Sequence, residues 1–139
     1  MEPSCTARYI DHVGIVVKDL DAAMRLFQEL FNVPTAEPQE IPDQKVRAVL
    51  LPIGQSRLEL LEPLDPDSSV GRFLENRGEG LHHLAFNVEN VGESLNELGR
   101  NGVRLVDLAP RDGLSGLIGF IHPAAVHGVL TELVQSVEE

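Results

Sequence analysis

The sequence predicts an α+β fold built from two copies of one module. Three observations predict it. First, the stretches "YIDHVGIVVKDLDAAMRLFQEL" (9–30) and "GLHHLAFNVENVGESLNELG" (80–99) share one order of apolar run, polar break and amphipathic helix pattern. Second, each stretch carries a histidine early in its apolar run, His12 and His83, 71 residues apart. Third, each is followed by two strand-like runs, and the last run of each half carries a glutamate, Glu59 and Glu132, 73 residues apart. A length of 139 residues suits one domain. The repeat divides it into a first module at about 8–64, a linker at 65–80 and a second module at about 81–136.

The elements follow in order. "IDHVGIVV" (10–17) reads as the first strand. Side chains alternate along a strand, so Val13, Ile15 and Val17 share one face while His12, Gly14 and Val16 share the other. In "KDLDAAMRLFQELF", Leu20, Ala23, Met24, Phe27, Leu30 and Phe31 recur at helical spacing and should cover the bulky strand face. "KVRAVLLPIG" (45–54) and "SRLELLEPL" (56–64) read as two strands joined by a Gly-containing turn. The linker carries a short helix at about 68–77, ended by Gly78. "LHHLAFNV" (81–88) repeats the first strand, with His82, Leu84, Phe86 and Val88 on one face and His83, Ala85 and Asn87 on the other. Val91, Leu95 and Leu98 give the second amphipathic helix, and Gly99 with Gly102 supplies its stop. A further strand is expected near 103–108, then strands at 116–123 and 127–135. Neither module is long enough to bury a sheet face well alone, so the two are expected to pack on one another.

Composition narrows the function. Apolar content of 42% and charged content of 24% are those of ordinary globular proteins. A net charge of −11 argues against broad binding to nucleic acid or to anionic membranes, which need a basic surface. It leaves open an anionic small molecule held by a few local arginines. No apolar run approaches the ~20 residues that span a bilayer. The start, "MEPSCTARYIDH", lacks an apolar signal core, so a cytoplasmic protein with a few loose leading residues is expected. The single cysteine, Cys5, excludes a disulfide framework, and near a loose end it lacks the fixed base a nucleophile needs.

Four polar residues stand out inside the apolar strands. His12 and His83 have small strand neighbours and face away from the helices. Glu59 opposes Leu58 and Leu60, and Glu132 lies on the face with Leu130 and Val134. A carboxylate in such a strand is costly to bury unless it is paired or binds a metal. Taken singly, each residue reads as a core histidine or an edge-strand charge. Taken together, in register across a repeat, two imidazoles and two carboxylates suit an octahedral divalent ion with two positions left open. Other polar residues read as structural. His82 belongs to the apolar face, His122 and His127 flank a turn, Glu62 faces solvent at a strand end, and Asp11 points away from the pocket.

Paired modules with a His on the first strand and a Glu on the last resemble the vicinal-oxygen-chelate (glyoxalase/bleomycin-resistance) superfamily. Within it, "DHVGIVVKDLDAA", "SRLELLEPL", "EGLHHLAFNVENV" and "FIHPAAVHGVLTELVQ" look most like the methylmalonyl-CoA epimerases. The resemblance covers about 8–136. It implies two βαβββ modules forming a cupped mixed sheet around a metal held by His12, Glu59, His83 and Glu132. It implies a divalent cofactor (Co2+, Mn2+, Ni2+ or Zn2+), an acyl-CoA thioester substrate and a homodimer. The implied reaction interconverts (R)- and (S)-methylmalonyl-CoA, or a close 2-substituted malonyl thioester. It runs by α-proton abstraction through a metal-stabilised enolate, with Glu132 as ligand and base. The sequence departs from the family where some members carry a second catalytic Glu. Here the stretch is "PDQKVRAVLLP", and the slot holds Ala48. Asp43, Gln44 and a water on the metal are the substitutes for that second acid. Arg47, Arg57 and Arg111 are the arginines available for coenzyme A phosphates. Two other classes of reading compete: another metal-dependent member, such as a glyoxalase I-type isomerase, a thiol transferase or an extradiol dioxygenase, and a metal-free drug-sequestering protein. A dioxygenase would use two His and one Glu, so the fourth ligand at Glu59 counts against it. Sequestering proteins usually lose the ligand residues, and this chain keeps all four.

Overall fold

The computed structural model describes residues 5–136. Contacts divide the described residues into two compact units, one of 12–82 and one of 5–11 with 83–136. The first module runs β1 (Tyr9–Val16), α1 (Leu20–Phe31), β2 (Gln39–Ile41), β3 (Val46–Ile53) and β4 (Ser56–Pro63). Helix α2 (Ser69–Arg77) follows as the linker. The second module runs β5 (Gly80–Asn87), α3 (Val91–Arg100), β6 (Arg111–Asp112), β7 (Gly116–Ile121) and β8 (Thr131–Ser136). The expected α+β repeat of βαβββ modules is therefore present. Strand order is β2-β3-β4-β1 in the first module and β5-β8-β7-β6 in the second, the same arrangement in each. Both are mixed: β1 runs parallel to β4 and β5 parallel to β8, while the remaining pairs are antiparallel.

The helices form where spacing and caps agree. Helix α1 starts at Asp19, whose side chain accepts from the Ala22 N–H, and stops at Asn32 in the left-handed region at φ 55°. Its Leu20, Ala23, Met24 and Phe27 pack with Ile15, Val17, Val49, Leu51, Leu58 and Leu60, the face expected to be covered. The last turn differs from expectation, because Leu30 and Phe31 stay outside at 62% and 65% exposure. Helix α3 is capped by Asn90, and its Val91, Leu95 and Leu98 pack with Phe86, Val88, Ile121 and Leu133. It runs through Gly99 and ends at Arg100, before Gly102 at φ 82°. Helix α2 covers the expected linker segment, from its Ser68 cap to Gly78.

Three expectations shift. The strand expected near 103–108 reduces to a single bridge from Leu105 to Ile121, and the pairing strand is β6, at 111–112. The last strand begins at Thr131 rather than 127, because His122–Gly128 forms a 3-10 turn with a left-handed His127. Cys5 is not loose: it is half-buried against the α3 core, while residues 1–4 lie outside the described part.

Candidate active site

In the first unit the site pair comes from β1 and β4. These strands pair in parallel, with His12 opposite Arg57 and Gly14 opposite Glu59. Leu58 and Leu60 point into the α1 core, so alternation turns Glu59 to the other face. Gly14 has no side chain there, which leaves space beside the carboxylate. On its other side, Glu59 faces Leu50 of β3. His12 Nε2 lies 3.4 Å from Glu59 Oε1, and both side chains are buried.

The second unit repeats this construction. Ala85 of β5 stands opposite Glu132 of β8, two residues after His83, as Gly14 stands two after His12. Leu133 packs in the α3 core and turns Glu132 away from it. The antiparallel neighbour of Glu132 is Phe120 of β7. His83 Nε2 lies 2.9 Å from Glu132 Oε1, again with both side chains buried. The Phe120 ring meets the His83 ring edge-to-face, with centroids 5.6 Å apart.

Each pair fits two neighbouring ligands of one ion. Ligands about 2.1 Å from a metal and at right angles to each other sit roughly 3 Å apart. The observed separations of 2.9 and 3.4 Å bracket that value. The longer one exceeds the ~2.7–2.9 Å of a charge-assisted hydrogen bond, so direct pairing alone does not account for it. Imidazole with carboxylate suits first-row divalent ions.

The other predicted residues fall as follows. Asp11 is buried and accepts at 3.4 Å from Asn87 Nδ2, which also donates to Ser136 Oγ, while Asn87 Oδ1 accepts from Arg8 at 2.6 and 2.9 Å. Sequence reading missed this network; its one signal was a polar Asn87 ending an apolar strand. Glu62 does not simply face solvent, because it accepts from the Leu20 N–H at the start of α1 and pairs with Arg47 at 3.6 Å. Arg47 also pairs with Asp21 at 3.1 Å, and that hydrogen bond raises its guanidinium pKa above the ordinary arginine value, so the structure commits it to α1. His82 packs edge-on against Phe73 and His122 caps the 3-10 turn, both structural as expected. Ala48 is fully buried and faces the same way as Leu50, the partner of Glu59, with no acid in that slot. Asp43 is exposed in the β2–β3 turn and Gln44 is half-buried there. Arg57 is half-buried beside the His12 position, and Arg111 lies over the Phe120 ring.

Residues 11–120 match the Glyoxalase/Bleomycin resistance protein/Dioxygenase superfamily. The chain belongs to this superfamily. Similar proteins within it include the uncharacterized protein YqjC of Bacillus subtilis (strain 168), 38% identical over 91% of this chain and 91% of its own length. The ethylmalonyl-CoA/methylmalonyl-CoA epimerase of Cereibacter sphaeroides is 33% identical over 91% of this chain and 96% of its own. A solved methylmalonyl-CoA epimerase in complex with methylmalonyl-CoA and NH4+ is 39% identical, with a TM-score of 0.91 over 95% of this chain and 96% of its own. These similarities support an epimerase, an enzyme of the isomerase class.

Proposed function

We propose that this superfamily member is a metal-dependent epimerase of methylmalonyl-CoA or a close 2-substituted malonyl thioester. The observation that carries the reading is the pair of buried His–Glu couples at equivalent strand positions of the two modules. In this reading His12, Glu59, His83 and Glu132, the candidate metal-binding group among the described residues, together hold one divalent ion. Co2+, Mn2+, Ni2+ and Zn2+ all suit that donor set. Such an ion would supply Lewis acidity to the two carbonyl oxygens that flank the substrate's α-carbon.

The chain's own residues supply the proton chemistry. A Glu132 oxygen takes the C2 proton as the C–H bond breaks, and the electron pair delocalises over the flanking thioester carbonyl. Burial of Glu132 keeps bulk water from competing for that proton. Inversion requires a proton returned to the opposite face. Ala48 has none to give, so the return falls to another group: Asp43 of the β2–β3 turn, or a water that the Gln44 amide could orient without itself being the acid. A homodimer is part of the same proposal; the exposed Leu26, Leu30 and Phe31 of α1 are apolar surface of the kind a partner covers.

The test is deuterium wash-in at C2 of methylmalonyl-CoA in D2O, with and without a chelator. Exchange that chelation abolishes supports the reading. No exchange overturns the substrate, and chelator-resistant exchange overturns the metal. Light scattering at working concentration checks the dimer against a chain mass of 15.2 kDa.

A further inference from the structure

The two His–Glu couples are built alike except at one wall. The antiparallel neighbour of Glu59 is Leu50, whereas that of Glu132 is Phe120. Phe120 also meets the His83 ring edge-to-face, so one residue adjoins both members of the second couple, Glu132 by strand pairing and His83 by its ring. The couple with the aromatic wall is also the shorter, at 2.9 Å against 3.4 Å.

Phe120 is itself held from three sides by a polar clamp. Its N–H donates to Asp107 Oδ2 at 2.8 Å. Its carbonyl accepts from the Val106 and Asp107 N–H groups at 2.9 and 3.2 Å. The Arg111 guanidinium lies over its ring, 5.5 Å from the centroid. Arg111 is held in turn by Asp107: its Nε lies 3.2 Å from Oδ1, an ion pair that is out of line for a hydrogen bond. Asp107 therefore grips the backbone of Phe120 with one oxygen and the cation above its ring with the other. Short β6 thus places a charged side chain, with a buried Nε lacking a hydrogen bond, over an aromatic face.

We infer that Arg111 and Asp107 are positioning residues that act through Phe120 to fix the His83–Glu132 couple for proton transfer. The inference rests on the epimerase reading for its kinetic consequence but not for its geometry. The cation over the ring limits the freedom of Phe120 to swing away from His83. A side chain near the chemistry that shifts by a fraction of an ångström costs rate rather than binding.

The experiment compares Arg111→Met, which keeps length and loses the cation, with Arg111→Lys, which restores a cation over the ring. Two readouts are taken. In C2 epimerisation, Arg111→Met should lower kcat by about tenfold with KM within about twofold, and Arg111→Lys should recover much of it. In NMR of 13C-labelled histidine, the His83 ring signal, shifted by the Phe120 ring current in the wild type, should move in Arg111→Met and return toward its place in Arg111→Lys. Unchanged kcat and an unmoved His83 signal in Arg111→Met overturn the inference. Equal losses in both variants also overturn it, since a merely structural role would not distinguish Met from Lys. A rise in KM with unchanged kcat would make Arg111 a substrate-binding residue and overturn the positioning role. If the wild type shows no exchange at C2, the epimerase reading fails alone, and the His83 signal still decides whether the clamp operates.

Discussion

Glu132 is asked to serve as metal ligand and base at once, and substitution separates the two duties. Glu132→Gln keeps an oxygen for the ion but removes the proton acceptor. The variant should retain metal by elemental analysis and lose epimerisation by about 10²–10⁴-fold, the usual worth of a general base. His83→Ala should do the reverse, emptying the site of tightly bound metal; full metal content in that variant would remove His83 from the ligand set. Arg47 offers a pH test. Its pKa is raised by the hydrogen bond to Asp21, so the stabilisation is present at every pH below the ordinary arginine range and is lost only above the folded value. Arg47→Met should therefore lower Tm by a small and equal amount at about pH 6 and about pH 10, as followed by circular dichroism. A loss that shrinks at the higher pH would mean that Arg47 acts through a partner other than Asp21 and Glu62. These residues also differ in legibility. His12, Glu59, His83 and Glu132 could be found because each breaks an apolar alternation. Asp107 and Phe120 could not, since an Asp in a loop and a Phe in a strand break nothing, and their meaning lies in what the fold brings beside them.

Elements whose pattern reaches the core were readable in the sequence, and those at the edges were not. β3, β4 and α2 sit within a residue or so of their expected ends, because alternation or helical spacing spans most of each and a turn residue closes it. β2 and β6, three and two residues long, carry no apolar pattern because edge strands are held by backbone pairing alone. The apolar run near 103–108 suggested a strand for the opposite reason: Val103 and Leu105 are partly buried by packing against the α3 core, not by a ladder. α2 shows how a readable element can hide a tight constraint. A Cβ on Gly71 would collide with the Asp65 carbonyl oxygen and sit 2.7 Å from that of Pro66, both backbone atoms that cannot swing aside. Ordinary helix propensity favours Ala over Gly, but the clash wins here. Gly71→Ala should destabilise the protein by about 1–3 kcal/mol in urea unfolding. An unchanged or higher midpoint would mean that the loop before α2 relaxes at no cost.

At the scale of the whole molecule the charge and the proposed substrate oppose each other. The chain carries 22 acidic and 11 basic side chains, and an acyl-CoA is a polyanion. Two forces then compete as salt is added. The long-range field repels the substrate and reaches about 30 Å at 10 mM salt but only about 8 Å at 150 mM. Local contacts to arginines attract it and weaken over the same range. Arg47 is already committed to Asp21 and Glu62, and Arg111 to Asp107. A few local cations do not outweigh a net charge of −11 when the screening length is long. The repulsive term should therefore dominate at low salt. kcat/KM for methylmalonyl-CoA should rise by at least about twofold between 10 and 150 mM NaCl, with the gain in KM and kcat nearly constant. A basic coenzyme A site would give the opposite slope. If kcat/KM falls as salt is added, a local cationic cradle governs capture and the long-range repulsion does not.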